Sequence, residues 1–87
     1  MSKPTLYVKQ GCPWCIDALA YFNGIGIALE IIDVRLEPHR MKELVEVSGQ
    51  SMTPTFKHGD FVVADFDIEE FEVALEQNPT AKNNLKT

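Results

Sequence analysis

Residues 10–17 read QGCPWCID, and this octapeptide holds both cysteines of the chain, Cys12 and Cys15. Two thiols at that spacing can serve as a redox pair, as half of a metal site or as a covalent staple. The staple is the weakest of the three, because a disulfide spanning two residues closes too short a loop to restrict the unfolded chain much. The flanking sequence decides between the other two, and it also sets the fold.

Upstream, Thr5-Leu6-Tyr7-Val8 is a short apolar, β-prone run, read as a first strand. Downstream, Pro13 suits the first turn of a helix, where its missing N–H costs nothing. Trp14, Ala18, Leu19, Tyr21 and Phe22 continue that helix with apolar residues at helical spacing, and Asn23-Gly24 supplies a stop. Ala28–Val34 reads as a second strand, with Ile31-Ile32 and Val34 expected to be buried on both faces, as in a central parallel strand. Pro38 opens a second helix with Met41, Leu44, Val45 and Val47 or Ser48 toward the core, closed by Ser48-Gly49. The strand–helix–strand unit makes strands one and two parallel through a right-handed crossover.

The pattern then changes. Thr55–His58 and Phe61–Val63 flank Gly59-Asp60, a two-residue hairpin turn. Asp67 with Glu70 forms a capping box that starts a last helix at about Ile68, packed down through Phe71, Val73, Ala74 and Leu75. From Gln77 the sequence is polar and contains a proline, so residues 77–87 are expected to fray. The order β-α-β-α-β-β-α implies one α/β domain over residues 1–87, a four-stranded mixed sheet flanked by helices.

On this scaffold the two thiols acquire different tasks. Cys12 falls at or just before the first helical turn, where free N–H groups and the helix dipole favour an anion. Such a site lowers a thiol pKa from about 8.5 toward neutrality, and the thiolate is the nucleophile. Lys9 adds a positive charge at the strand end. Cys15, one turn deeper on the same side, is placed to resolve a mixed disulfide. Pro13 stiffens the loop, and Trp14 is either a partly exposed face for substrate or a core or rim aromatic. A C-x-x-C between strand and helix reads as a thioredoxin-like redox motif. A structural zinc site would need four ligands, and neither His39 nor His58 has metal-site spacing to the cysteines, so no metal is assigned. In "SMTPTF", residues 51–56, Thr53 before Pro54 must be extended. Taken alone, Pro54 is a trans proline starting an edge strand, since only about one X–Pro bond in twenty is cis.

The bulk numbers narrow the function classes. A chain of 87 residues with 45% hydrophobic content has a core for one domain, and a formal charge of −5 with no dense Lys/Arg run argues against nucleic acid. No segment approaches the roughly 20 apolar residues of a spanning helix, so no membrane partner is expected. Met1-Ser2-Lys3-Pro4 lacks the apolar core of a secretory signal, and the expected compartment is the cytoplasm.

Taken together, Lys9, Cys12-Pro13-Trp14-Cys15, Gly49 and Met52-Thr53-Pro54 resemble the glutaredoxin family of the thioredoxin superfamily, and the likeness runs from Thr5 to about Leu75. The resemblance implies a cis Pro54 beside the cysteines, a Thr53 backbone that pairs with the cysteinyl unit of glutathione or a peptide, and a Lys9 that meets a glutathione carboxylate. It implies Cys12 as nucleophile and Cys15 as resolving thiol. The implied activity is reduction of protein disulfides or glutathione mixed disulfides of client proteins, with glutathione as co-substrate and no tightly bound cofactor; a monomer is the default expectation. Two departures stand out. Val63-Ala64-Asp65-Phe66-Asp67 replaces the family's glycine pair and acidic pair, so Asp67, and less directly Asp65, is carried over as a glutathione contact. Met52 replaces the usual threonine. The departures keep two alternatives in view: a redoxin fed by thioredoxin reductase that serves a dedicated enzyme, and a module holding an iron–sulfur cluster between two chains.

Overall fold

The computed structural model describes residues 3–85. The readings of Met1-Ser2 and of residues 86–87 lie outside the described residues. Strand β1 (Thr5–Val8) leads through a turn into helix α1 (Pro13–Gly24), then strand β2 (Glu30–Asp33). A single 3₁₀ turn (Pro38–Arg40) runs into α2 (Met41–Ser48), followed by β3 (Thr55–His58), β4 (Phe61–Ala64), α3 (Ile68–Glu76) and α4 (Pro79–Leu85). The sheet order is β2-β1-β3-β4, with β1 parallel to β2 and antiparallel to β3, and β3 antiparallel to β4. This is the mixed four-stranded sheet that the element order implied, in the thioredoxin-like arrangement that the resemblance implied.

The apolar run of β1 is continuous because both of its faces are covered. Leu6 and Val8 point to one side, where they meet Cys15, Ala18 and Phe22 of α1, Phe56 of β3 and Phe71 of α3. Tyr7 points to the other, with Ile32, Val34 and Leu44 of α2. The first core is aromatic: Phe22 stacks on Phe56 at 5.1 Å, and Phe71 meets both edge-on at 5.0 Å. Each such ring, fully withdrawn from water, contributes about 1.5–3 kcal/mol. On the second face the Tyr7 hydroxyl donates to Glu43 Oε2 at 2.7 Å, and Arg40 donates to both oxygens of the same carboxylate. Burial and then the Glu43 hydrogen bond push the Tyr7 phenol upward, so it stays a donor and pins α2 to the sheet.

Four expectations are corrected. β2 is an edge strand rather than a central one: Ile31 is 53% exposed, and only Ile32 and Val34 are buried. The strand that begins after Pro54 is central, flanked by β1 and β4, rather than an edge. Val45 points outward while Leu44 fills the core, because an eight-residue helix lying on a sheet buries one narrow stripe. Finally, the tail does not fray from Gln77. Asn78 caps α4 by accepting from the Ala81 N–H, Pro79 takes the first turn, and Ala81 is buried.

Candidate functional site

The site forms beyond the carboxyl end of β1, where the chain crosses to β2 on one side and pairs with β3 on the other; such switch points leave a crevice. The Cys12 N–H closes a turn onto the Lys9 carbonyl at 3.2 Å. Its third residue, Gly11, has φ 84°, a conformation that a side chain would oppose. The turn delivers Cys12 as the N-cap of α1, with extended backbone, and Pro13 opens the first turn. The Cys12 sulfur then does what a serine or aspartate oxygen does at other helices: it accepts from the Cys15 N–H, at 3.3 Å.

The β1–β3 register brings in the second segment. Thr55 opposes Tyr7, so Thr53 and Pro54 continue toward the residues that follow Val8. The Thr53–Pro54 bond is cis, as the family resemblance implied, and the trans reading is set aside. Thr53 Oγ1 donates toward Cys12 Sγ at 3.9 Å, and the Thr53 carbonyl lies at the same distance. A polar lock shapes this loop. Gln50 Nε2 donates to Ser48 Oγ at 2.7 Å and to Thr55 Oγ1 at 3.2 Å, and Gln50 Oε1 accepts from the Met52 N–H. Thr55 Oγ1 in turn donates to the Met52 carbonyl at 2.9 Å. The Phe66 N–H reaches the Pro54 carbonyl at 3.4 Å, which draws in the β4–α3 loop with Asp65, held at φ 52°.

The two thiols are free and unequal. Burial alone would raise the Cys12 thiol; hydrogen bonds from Cys15, from the Thr53 hydroxyl and from the Trp14 backbone outweigh it and lower the pKa. Cys15 is 2% exposed, and burial followed by its bond with Cys12 pushes it up to about 11. One sulfur is therefore disposed to ionise at the surface, and the other stays protonated beneath it.

A shallow cleft of about 220 Å³ opens over Cys12, lined by residues 9–14 together with Arg35, Met52, Thr53 and Asp65. Of the sequence-derived candidates, Lys9, Cys12, Pro13, Trp14 and Thr53 meet there. Trp14 is 58% exposed and forms part of the rim. Cys15 and Pro54 lie buried behind it. Asp67 is not in the lining: its carboxylate accepts from the Glu70 N–H at 2.7 Å while Glu70 returns the bond to the Asp67 N–H, the capping box expected from the sequence. Asp65 takes the place in the cleft. The lining adds Gln10, Gly11, Arg35 and Met52 as residues that sequence reasoning did not assign. Arg35 could have been found from its position just past the end of β2, beside Lys9 at the end of β1. Among the described residues no cluster of three or more His, Cys, Asp or Glu is placed to hold a metal ion.

The family model for glutaredoxin matches residues 5–63, more than half of the chain. The chain belongs to the glutaredoxin family. Its glutaredoxin fold is shared with the solution structure of a glutaredoxin from Brucella melitensis, at 29% identity and TM-score 0.68 over 100% of this chain and 91% of that one. The thioredoxin-like protein BC3987 is 26% identical, with TM-score 0.73 over 83% of this chain and 99% of its own. A buckwheat glutaredoxin–glutathione complex shares the fold at 15% identity, with TM-score 0.71 over 94% of this chain and 74% of that one. No curated protein sequence matches this glutaredoxin. Family, fold and the paired thiols make it a thiol–disulfide oxidoreductase.

Proposed function

We propose that this glutaredoxin reduces disulfides with glutathione as electron donor. The observation that carries the reading is the cleft itself, in which the Cys12 sulfur is flanked by Lys9, Thr53 and Asp65. A cation, a strand-like backbone and a carboxylate around a nucleophilic sulfur suit a zwitterionic thiol tripeptide. The complex of buckwheat glutaredoxin with glutathione supports the same ligand class.

With a glutathione mixed disulfide, the Cys12 thiolate attacks the glutathione sulfur. A Cys12–glutathione disulfide forms, and the client thiolate leaves and takes a proton from water. A second glutathione thiolate attacks the bound glutathione sulfur, releasing glutathione disulfide and restoring the Cys12 thiolate. With a protein disulfide, Cys12 first forms a mixed disulfide with the client. Cys15 then attacks the Cys12 sulfur, its proton passing to the departing client thiolate, and the Cys12–Cys15 disulfide is closed. Two glutathione molecules reopen it, giving up two electrons as glutathione disulfide. The protein acts as a monomer on disulfide-containing clients, and the cytoplasm, where glutathione is kept reduced, is its expected location.

The test is turnover of a glutathionylated peptide with glutathione, glutathione reductase and NADPH. Cys12→Ser is expected to abolish it, and Cys15→Ser to retain part of it. A second reading, a redoxin fed by thioredoxin reductase, is favoured by one observation: Val63–Asp67 lacks the family's glycine pair, and Asp67 is engaged in a helix cap. Reduction of the Cys12–Cys15 disulfide by thioredoxin reductase and NADPH, with glutathione inert, would establish that reading and remove the first.

A further inference from the structure

Two of the chain's eight lysines and arginines, Lys9 and Arg35, line one cleft in a protein that carries thirteen aspartates and glutamates. Neither has an ion-pair partner among the described residues. Arg35 is held in place by its backbone. Asp33 Oδ1 accepts from the Arg35 N–H at 2.8 Å and from the Leu36 N–H at 3.2 Å, closing a tight turn at the end of β2. From that turn the guanidinium reaches across to the Gln10 carbonyl, with Nη1 at 3.1 Å, just before Gly11 and Cys12. One of its five donors is thereby used, and the rest of a planar fork remains at the cleft.

The strand order separates the charges. Arg35 and Lys9 follow β2 and β1, whereas Asp65 is tied through Phe66 to the start of β3. Lys9 and Arg35 thus enter the cleft from the β1 and β2 ends, with the Asp33 carboxylate engaged in the turn beneath Arg35, and Asp65 enters from the β3 side. We propose that Arg35 is a specificity-determining residue: with Lys9 it selects disulfides that carry a carboxylate near the sulfur under attack. The substrate class is the anionic disulfide, of which a glutathione disulfide is one case and a cysteine flanked by acidic residues another. This deepens, and in part rests on, the glutathione reading.

The test measures stopped-flow reaction of the reduced protein with 5,5′-dithiobis(2-nitrobenzoate), a dianion, and with neutral 2,2′-dithiodipyridine. In each case Cys12 displaces one coloured thiol and Cys15 the second, and the internal disulfide is left behind. In Arg35→Gln the ratio of the two rate constants, anionic over neutral, is expected to fall about five- to tenfold, the size of one charge-assisted bond at an exposed site. Arg35→Lys is expected to recover most of the ratio. In the wild type, raising the salt is expected to lower the ratio too. If Arg35 only braces the Gln10 carbonyl, both rates fall together and the ratio is unchanged; that result overturns the proposal, as does a ratio insensitive to salt. The glutathione reading fails separately: a protein that shows the Arg35-dependent ratio, yet whose Cys12–Cys15 disulfide is not reduced by glutathione, keeps this proposal and loses that one.

Discussion

The inequality of the two thiols has a thermodynamic consequence at alkaline pH. Cys15 is 2% exposed, and its pKa rises from 9.0 to about 11 on folding. A group whose folded pKa is raised stabilises the native state fully below its unfolded pKa, and loses that contribution as pH climbs through the folded value. Between pH 9 and 11 the unfolded chain has released the Cys15 proton and the native chain still holds it, so stability must fall. Because the side chain is withdrawn from water, no discount for screening applies. A shift of this size, integrated from pH 8 to 10.5, amounts to about 2 kcal/mol. Other groups also titrate there, so the quantity to measure is the difference in unfolding free energy between the reduced wild type and Cys15→Ala, by urea denaturation at both pH values. At pH 8 the wild type exceeds the variant by the cost of the vacated side chain; at pH 10.5 that margin is expected to be about 2 kcal/mol smaller. A margin that stays constant across the range would mean that Cys15 ionises as easily inside the protein as outside. The assignment of Cys15 as the protonated thiol would then be wrong.

Two further perturbations separate neighbouring roles. Thr53→Val keeps the shape of a buried residue and removes the hydroxyl that donates toward Cys12 at 3.9 Å, a long contact; the Cys12 pKa is expected to rise, read from alkylation rate against pH. An unchanged midpoint would show that the hydroxyl does not act on the thiolate. Asp67→Ala removes the α3 cap and is expected to cost about 1 kcal/mol, or roughly 4–8 °C in Tm, while raising the glutathione KM less than Asp65→Asn does. The reverse order of KM effects would return Asp67 to the ligand.

Where local chemistry dictates structure, the sequence was readable: Pro13 at the helix start, the Gly59-Asp60 hairpin and the Asp67/Glu70 box all stand as expected. What depended on long-range placement was not. A right-handed crossover makes β2 parallel to β1, but it does not say on which side β3 will add. Ile31 therefore read as buried although it lies on an edge. Helix α4 was hidden by composition, since Ala81, which is buried, and Leu85, which packs on the core, stand among polar residues; the Asn78-Pro79 start was the missed signal. At the site, the thiols and Lys9 were legible because their chemistry is specific, whereas Thr53-Pro54 entered only through the family resemblance, its residues alone reading as a trans edge-strand start. Arg35 was passed over, because an arginine after a strand draws notice only when the parallel pairing of β1 and β2 is followed to their ends, where it stands beside Lys9; its bond to the Gln10 carbonyl needed the structure. Asp65 and Asp67 differ by two residues, and only the direction of the loop tells which faces the cleft.

The account turns on the state of the Cys12 sulfur, and thiolate absorbance at 240 nm reads that state directly. Titrated from pH 4 to 10, the reduced protein is expected to show a step with its midpoint below the unperturbed thiol value of 9.0, absent in Cys12→Ser. A midpoint at or above that value would contradict it.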